Sequence, residues 1–258
     1  MHGGELAQAA AFQLGCDYSC VPEAFFGNEN IVTLASFHEE RREITPAPDF
    51  FRMATMGNAA VMTCDAKILP FLRELAAKYE GPQLFTGKVM YLINRRLAAE
   101  NKTAGEINIY YLPRTPYKYV RRGGFKVRVY EQEDIVKVLY RYKNFSNALL
   151  YDSSGKRKDM LAVCALNGDE IIGMAGASSD SSRFWQIGID VLPGYRGMGI
   201  ASEIVSALAY EVLMHGAVPY YGTWAGNIAS QSVAAKCGFV PVWAEMFSSS
   251  IENEKYIL

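Results

Sequence analysis

One stretch constrains this chain more than any other: Val191-Leu192-Pro193-Gly194-Tyr195-Arg196-Gly197-Met198-Gly199-Ile200-Ala201. An apolar run, Phe184 to Val191, leads into it, and an amphipathic segment, Ala201 to His215, leads out. That order predicts a strand, a glycine-rich turn and a helix start. Glycine has no Cβ, so a ligand can approach the backbone closely. The first turn of a helix leaves N–H groups without intrahelical partners, and the helix dipole adds positive potential there. Such a turn suits a phosphate or pyrophosphate. Arg196 adds a fixed charge of the right sign. Glycines at 194, 197 and 199, with an arginine among them, favour a ligand site over a plain strand-to-helix turn.

The neighbouring segments give the turn a setting. Phe125 to Tyr130 alternates like a strand, and Glu131 to Tyr142 has helical spacing. Met160 to Leu166 and Glu170 to Ala177 are apolar strands with Asn167-Gly168 between them, a strong hairpin signal because both residues tolerate positive φ. A serine-rich turn, 178–182, returns the chain as the third strand, Phe184 to Val191. The helix after the glycine turn carries Ile200, Ile204, Val205, Leu208 and Val212 on one side. Ala217 to Tyr221 is the next strand, and strand–helix–strand implies a parallel, right-handed crossover. Asn227 to Lys236 reads as a short helix ended by Cys237-Gly238, with Val240 to Met246 as a last strand.

The amino-terminal half mixes short units. Helices are expected over 5–14, from Lys67 to Tyr79 with Asp65 as cap and Pro70 in the first turn, and from Thr86 to Ala99. Strands are expected over 30–36, 59–63 and 106–112. The charge run His38 to Glu43 reads as a solvated turn or face. This half shows no phosphate turn and no catalytic constellation, which leaves it packing and the shaping of a substrate cleft. Pro113 to Gly124, rich in proline, glycine and basic residues, reads as a linker or crossover. Two domains follow, 1–122 and 123–258.

Composition removes several function classes. The chain has 258 residues, half of them hydrophobic, and a formal net charge of −1. No global field favours nucleic acid or an anionic membrane. Arg121, Arg122, Lys126 and Arg128 make a local basic patch, but no aromatic-basic recognition motif accompanies it. His2, His38 and His215 lack metal-ligand spacing, so no metal is expected. Five cysteines without a framework spacing suggest reduced thiols and a cytoplasmic setting. No basic lead-in precedes the apolar Leu6 to Phe12, so no secretory leader is expected, and no apolar run reaches membrane-span length.

The order of the glycines selects the ligand class. A dinucleotide-binding unit needs G-x-G-x-x-G and an acidic residue about 20 positions on. Here the order is G-x-x-G-x-G, the next strand ends without an acid, and the preceding strand lies in an antiparallel meander. A P-loop is excluded because no Gly-Lys-Ser/Thr is present. Arg196-Gly197-Met198-Gly199-Ile200-Ala201 resembles the R/Q-x-x-G-x-G/A pyrophosphate motif of the GNAT acyltransferase superfamily. Val191-x-Pro193, Asn227-x-x-Ser230 and Lys236-Cys237-Gly238-Phe239 are similar to other segments of that family, and the elements from about Phe125 to Phe247 occur in its order. The whole chain more loosely resembles a two-domain bacterial branch that includes zwittermicin-resistance acetyltransferases.

The resemblance implies an α+β fold: a GNAT-like central mixed sheet flanked by helices in the carboxyl half, with a smaller α/β amino-terminal domain that is a degenerate acyltransferase-like half. It implies acetyl-CoA as co-substrate. The amides of Arg196, Gly197, Met198, Gly199, Ile200 and Ala201 would hold the pyrophosphate. The edge at Val191 and Leu192 would pair with the pantetheine arm, a backbone N–H near Val191 would polarise the thioester carbonyl, and Asn227 and Ser230 would contact the far side of the cofactor. It implies transfer of an acetyl group to a primary amine of a small molecule or peptide by direct attack, in a monomer or homodimer. Asp190 is the candidate base, with a strand-end structural role as its other reading. The family's usual acidic tyrosine falls at Ala234, so Ser230, Tyr220, Tyr221 or water must serve. The missing tyrosine also admits a non-catalytic acyl-CoA-binding or regulatory protein.

Overall fold

The computed structural model describes residues 3–45, 48–119 and 124–251. The elements in chain order are α1 (Gly3–Tyr18), β1 (Ile31–Leu34), β2 (Phe51–Thr55), β3 (Ala60–Cys64), α2 (Leu69–Lys78), α3 (Gly87–Ala98), β4 (Lys102–Ala104) and β5 (Asn108–Pro113). There follow β6 (Lys126–Glu131), α4 (Gln132–Asp134), β7 (Asp159–Asn167), β8 (Glu170–Ser179), β9 (Phe184–Val191), α5 (Ile200–Met214), β10 (Val218–Trp224), α6 (Ile228–Lys236) and β11 (Phe239–Ser250). Helices and a mixed sheet make this the α+β architecture that the family resemblance implies. The chain divides into two compact units that are not consecutive in sequence. The first holds residues 1–6, 111–223 and 227–240, and the second holds 7–110, 224–226 and 241–258.

In the first unit the strand order is β10-β9-β8-β7-β6. Strands β6 to β9 form an antiparallel meander, and β9 pairs with β10 in parallel, as the crossover rule requires. Helix α5 packs on β7, β8 and β9, burying Ile200, Ile204, Val205, Leu208 and Val212. Gly173 on β8 makes room for the start of this helix: a Cβ there would lie 2.8 Å from Ile200 Cγ2. The β7–β8 turn is one residue later than Asn167-Gly168 suggests. Asn167 pairs with Glu170, leaving Gly168-Asp169 as the turn, with Gly168 at φ 61° supplying the positive φ. The helix expected over 131–142 is not continuous. α4 is three residues long, Ile135–Leu139 form a π-helical turn, and the Tyr140 N–H reaches back five residues to Ile135 O.

In the second unit β1, β3, β2 and β11 lie side by side, with β4 on the far end of β11. β2 and β4 are strands that the sequence pattern does not announce. Asp65 does not cap α2, whose N-cap is Ile68; its carboxylate accepts the Lys67 N–H instead. Helices α2 and α3 cover an apolar core of Phe51, Met53, Met62, Leu72, Val89 and Ile93.

The charge run is where this unit departs most from the sequence reading. Arg41 and Arg42 are buried rather than solvated, because Asp17, Asp49 and Glu245 wait for them inside. Arg42 Nε donates to Asp17 Oδ2 at 2.5 Å and its Nη2 to Glu245 Oε2 at 2.8 Å. Arg52 donates to Asp49 and Glu245 and stacks over Tyr18, while the Arg42 guanidinium lies 5.5 Å from the ring centroids of both Tyr110 and Trp243, which stack on each other. A buried charge is tolerated only when paired and hydrogen-bonded, and each carboxylate here faces an arginine. The guanidinium groups of Arg42 and Arg52 outweigh desolvation and hold the Glu245 carboxyl down at about 2.

Among the described residues no helix is long and apolar enough to cross a membrane, and no group of three or more His, Cys, Asp and Glu could hold a metal. The cysteines are free, four of them buried, and burial pushes the Cys164 thiol up to about 12. Arg121 and Arg122 lie outside the described residues. Lys126 is exposed, and the Arg128 guanidinium lies over the Tyr130 ring.

Candidate active site

The glycine turn forms where the sequence places it. β9 ends at Val191, a 3-10 turn covers Pro193–Tyr195, and α5 begins at Ile200. Gly197 and Gly199 have φ of 77° and 83°, a backbone that residues with a Cβ rarely adopt. A Cβ built on either glycine would meet nothing within 4 Å, so the space over the turn is open. The first intrahelical bond joins the Glu203 N–H to Gly199 O. The amides of Ile200, Ala201 and Ser202 therefore precede the helical ladder and point out of its start. Arg196 and Met198 are exposed beside them. Open space, positive-φ glycines and outward amides fit a pyrophosphate.

Two contacts fix the turn. Arg196 Nε donates to Val191 O at 3.1 Å, folding the turn back on the strand it leaves. The Tyr195 hydroxyl donates to Glu170 Oε2 at 3.0 Å and accepts from Asn167 Nδ2 at 3.2 Å, which ties the turn to the β7–β8 hairpin. Neither partner of Tyr195 is visible in the local sequence, being more than 20 residues away.

The strands beside the turn part company. The parallel register runs from Val218↔Phe184 to Tyr221↔Ile187, whereas β9 continues to Val191. β8 covers the other edge of β9 as far as Gly173↔Val191. Backbone groups alternate sides along a strand. The Leu192 N–H donates to Ile172 O on the β8 side, so the Val191 and Ile189 N–H groups face the open edge. Leu192 is committed within the chain, since its carbonyl also accepts the Tyr195 N–H. Of the two residues expected to meet a pantetheine arm, Val191 is the one whose N–H faces that edge.

Asp190 lies at the end of β9 and its carboxylate is fully engaged. It accepts the Asn147 N–H at 2.7 Å, Asn147 Nδ2 at 2.6 Å and the Ala148 N–H at 3.2 Å. The segment it holds lies flat on two facing glycines, Gly176 on β8 and Gly188 on β9. A Cβ on Gly188 would come within 1.8 Å of Asn147 O, and one on Gly176 within 2.0 Å of Ala148 O. Asp190 and the glycine pair together seat residues 147–148 across the outer half of the meander.

Asn227 is the N-cap of α6, its side chain accepting the Ser230 N–H at 3.1 Å. The Ser230 hydroxyl lies 2.8 Å from the Tyr221 hydroxyl on β10. Burial pushes the Tyr221 phenol up, against the opposing hydrogen bond to Ser230, so it stays protonated through neutral pH. Tyr220 is not part of this pair: its hydroxyl donates to buried Asp180, which Arg157 and Ser178 also contact. Ala234 is wholly buried. Trp185 and Trp243 are core residues, while Trp224 is partly exposed.

Residues 129–239 match the model of the acetyltransferase (GNAT) family. This segment is a GNAT acetyltransferase domain. Solved structures similar to the chain include a putative GNAT-family acetyltransferase from Novosphingobium aromaticivorans, 13% identical over 57% of this chain and 66% of that one, TM-score 0.41. A GNAT-family acetyltransferase from Colwellia psychrerythraea is 17% identical over 61% of each chain, TM-score 0.43. A GCN5-related N-acetyltransferase from Kribbella flavida is 12% identical over 60% of this chain and 62% of that one, TM-score 0.45. The chain thus spans somewhat less than two thirds of each of these proteins. No curated protein matches the sequence. The matched segment begins in β6 and ends at the first residue of β11, so it contains the splayed strands, the glycine turn, Asp190 and the Tyr221–Ser230 pair.

Proposed function

We propose that the protein is an acetyl-CoA-dependent N-acyltransferase that acetylates a primary amine of a small molecule or peptide by direct attack. The observation that carries this reading is the junction at Val191. There an unpaired strand edge runs into a turn with outward amides and two positive-φ glycines. Bound at this junction, acetyl-CoA would supply an activated acetyl thioester. The amides from Arg196 to Ala201 would hold the pyrophosphate, and the Arg196 side chain would add charge. The Val191 N–H, on the open edge of β9, would stabilise charge on the thioester oxygen.

Three proton movements complete the reaction. The acceptor ammonium gives one proton to water, because only its free base attacks. Its lone pair forms the new C–N bond, the C–S bond breaks, the nitrogen gives a second proton to water, and the departing sulfur takes one. We assign that proton to the Ser230 hydroxyl, resupplied from Tyr221 at 2.8 Å. A thiol of ordinary pKa, roughly 8.5, leaves readily, so this acid assists rather than dominates. Asp190 is assigned to positioning. Three donors from Asn147 and Ala148 already occupy its two oxygens. Its work is to seat residues 147–148.

A second reading, a non-catalytic acyl-CoA-binding protein, draws on one observation: the position of the family's usual acid holds Ala234, a methyl sealed in the core. Release of free thiol from acetyl-CoA with a broad amine panel separates the two. Catalysis predicts turnover that falls about tenfold in Ser230→Ala, less than the roughly 100- to 10,000-fold typical of general acid–base catalysis because the thiol leaves readily. CoA binding without thiol release for any amine supports the second reading.

A further inference from the structure

The loop that Asp190 holds leads four residues on to an aromatic pair that the acetyl-transfer reading does not use. Tyr140 and Tyr151 have ring centroids 5.4 Å apart at 47°. Three local anomalies meet there. Tyr140 closes the π-helical turn Ile135–Leu139, a distortion frequent at functional sites. Tyr151 has φ 58°, an uncommon backbone for a bulky residue, and such outliers cluster at ligand clamps. The ammonium of Lys143 lies over both rings, 4.2 Å from the Tyr151 centroid and 5.7 Å from that of Tyr140.

The surroundings make the rings good partners for a cation. The Tyr140 hydroxyl donates to Asp159 Oδ2 at 2.9 Å, which pushes electron density into its ring. Asp159 is a buried carboxylate behind the pair, fixed by the N–H groups of Leu150 and Tyr151. The Tyr151 hydroxyl donates to Tyr142 O, holding that ring in place. A rigid aromatic face backed by a buried anion attracts ammonium groups. Lys143 is the exposed, flexible member of the set and occupies the position a ligand ammonium would take.

The geometry points to the Tyr140–Tyr151 pair as an ammonium-binding subsite, with Lys143 as its intramolecular occupant. It rests on the proposed acetyl transfer only for its purpose, which is to hold a second cationic group of a di- or polyamine acceptor. Asn147, bonded to Asp190, and Tyr151 are four positions apart, and that length of chain spans at most roughly 14 Å. The subsite therefore lies within reach of an extended polyamine.

Tetramethylammonium tests the subsite apart from the chemistry, because it cannot be acetylated. Titrated into the full-length protein without CoA, it should shift the amide resonances of Tyr140, Lys143 and Tyr151. Lys143→Gln should tighten binding about two- to fivefold by removing the internal competitor, the scale of an exposed cation–π contact. Tyr151→Phe keeps the ring and should still bind; Tyr151→Leu should not. Absence of binding to both wild type and Lys143→Gln overturns the proposal, as does equal binding to Tyr151→Leu or its loss in Tyr151→Phe. If Tyr151→Leu fails to fold, Lys143→Gln and Tyr151→Phe still decide. Tetramethylammonium binding without thiol release from acetyl-CoA would leave the subsite standing and remove the acetyl transfer.

Discussion

At the scale of the residue, Asp190 shows how position and role part company. It ends the strand that leads to the glycine turn, which makes it a natural candidate for a base. Its two oxygens accept three hydrogen bonds from Asn147 and Ala148. Asp190→Asn replaces one acceptor with an NH2 group facing those donors. The substitution should destabilise the protein by about 0.5–1.5 kcal/mol, the net worth of a hydrogen bond whose exposed donor can turn to water. Thermal unfolding measures that loss, and KM for the amine should rise with it. A base would give the opposite split, with kcat falling steeply and the melting temperature unchanged. Gly197 and Gly199 were legible from sequence because few other residues hold their φ without strain. The role of Asp190 was not, since its donors lie more than 40 residues away. The Tyr195 anchor and the Tyr221–Ser230 pair are hidden for the same reason: each needs the fold to bring its partners together.

At the scale of the element, legibility follows how local the cause is. The meander, the glycine turn, α5, β10 and α6 all lie close to their expected bounds, because alternation, helical spacing and glycine placement are properties of short windows. The turn after β7 slipped by one residue because Gly168 alone needs positive φ, and Asn167 is free to pair with Glu170. The segment 131–142 has helical spacing, yet its middle widens into a π turn, which apolar periodicity does not distinguish from α. The parting of β9 and β10 left no mark in either strand, since both keep β-forming residues to their ends. The glycines at 176 and 188 are ordinary in their own strands. They acquire meaning only once the register sets them side by side beneath Asn147 and Ala148.

At the scale of the molecule, each unit holds one demanding polar feature. In the second unit it is the buried network of Asp17, Arg42, Arg52, Asp49 and Glu245. The sequence conceals it by placing Arg42 in a charge run that reads as solvated. The sign of its pH response follows from Glu245, whose folded carboxyl lies at about 2 against an ordinary carboxyl near 4.3. A folded pKa below the unfolded one adds stability that is complete above the unfolded value and lost as pH falls towards the folded one. Urea midpoints should therefore hold steady from pH 7 to about 5 and decline between about 5 and 2. Glu245→Gln should lower stability by about 3–5 kcal/mol, as breaking a buried ion pair does, and should flatten that decline. An unchanged pH profile in the variant would assign the acid response elsewhere.

In the first unit the demanding feature is the site itself, and the central claim is that CoA binds at the Val191–Ala201 junction. Calorimetric titration of CoA into the wild type, Gly199→Ala and Gly199→Asp tests it most directly. Both variants bear the strain of a Cβ at φ 83°, but only aspartate adds negative charge where a pyrophosphate sits. The account predicts saturable binding to the wild type, a modest loss in Gly199→Ala and no measurable binding in Gly199→Asp, with both variants folded by circular dichroism. Equal affinity in wild type and Gly199→Asp, or no binding to the wild type, would contradict it.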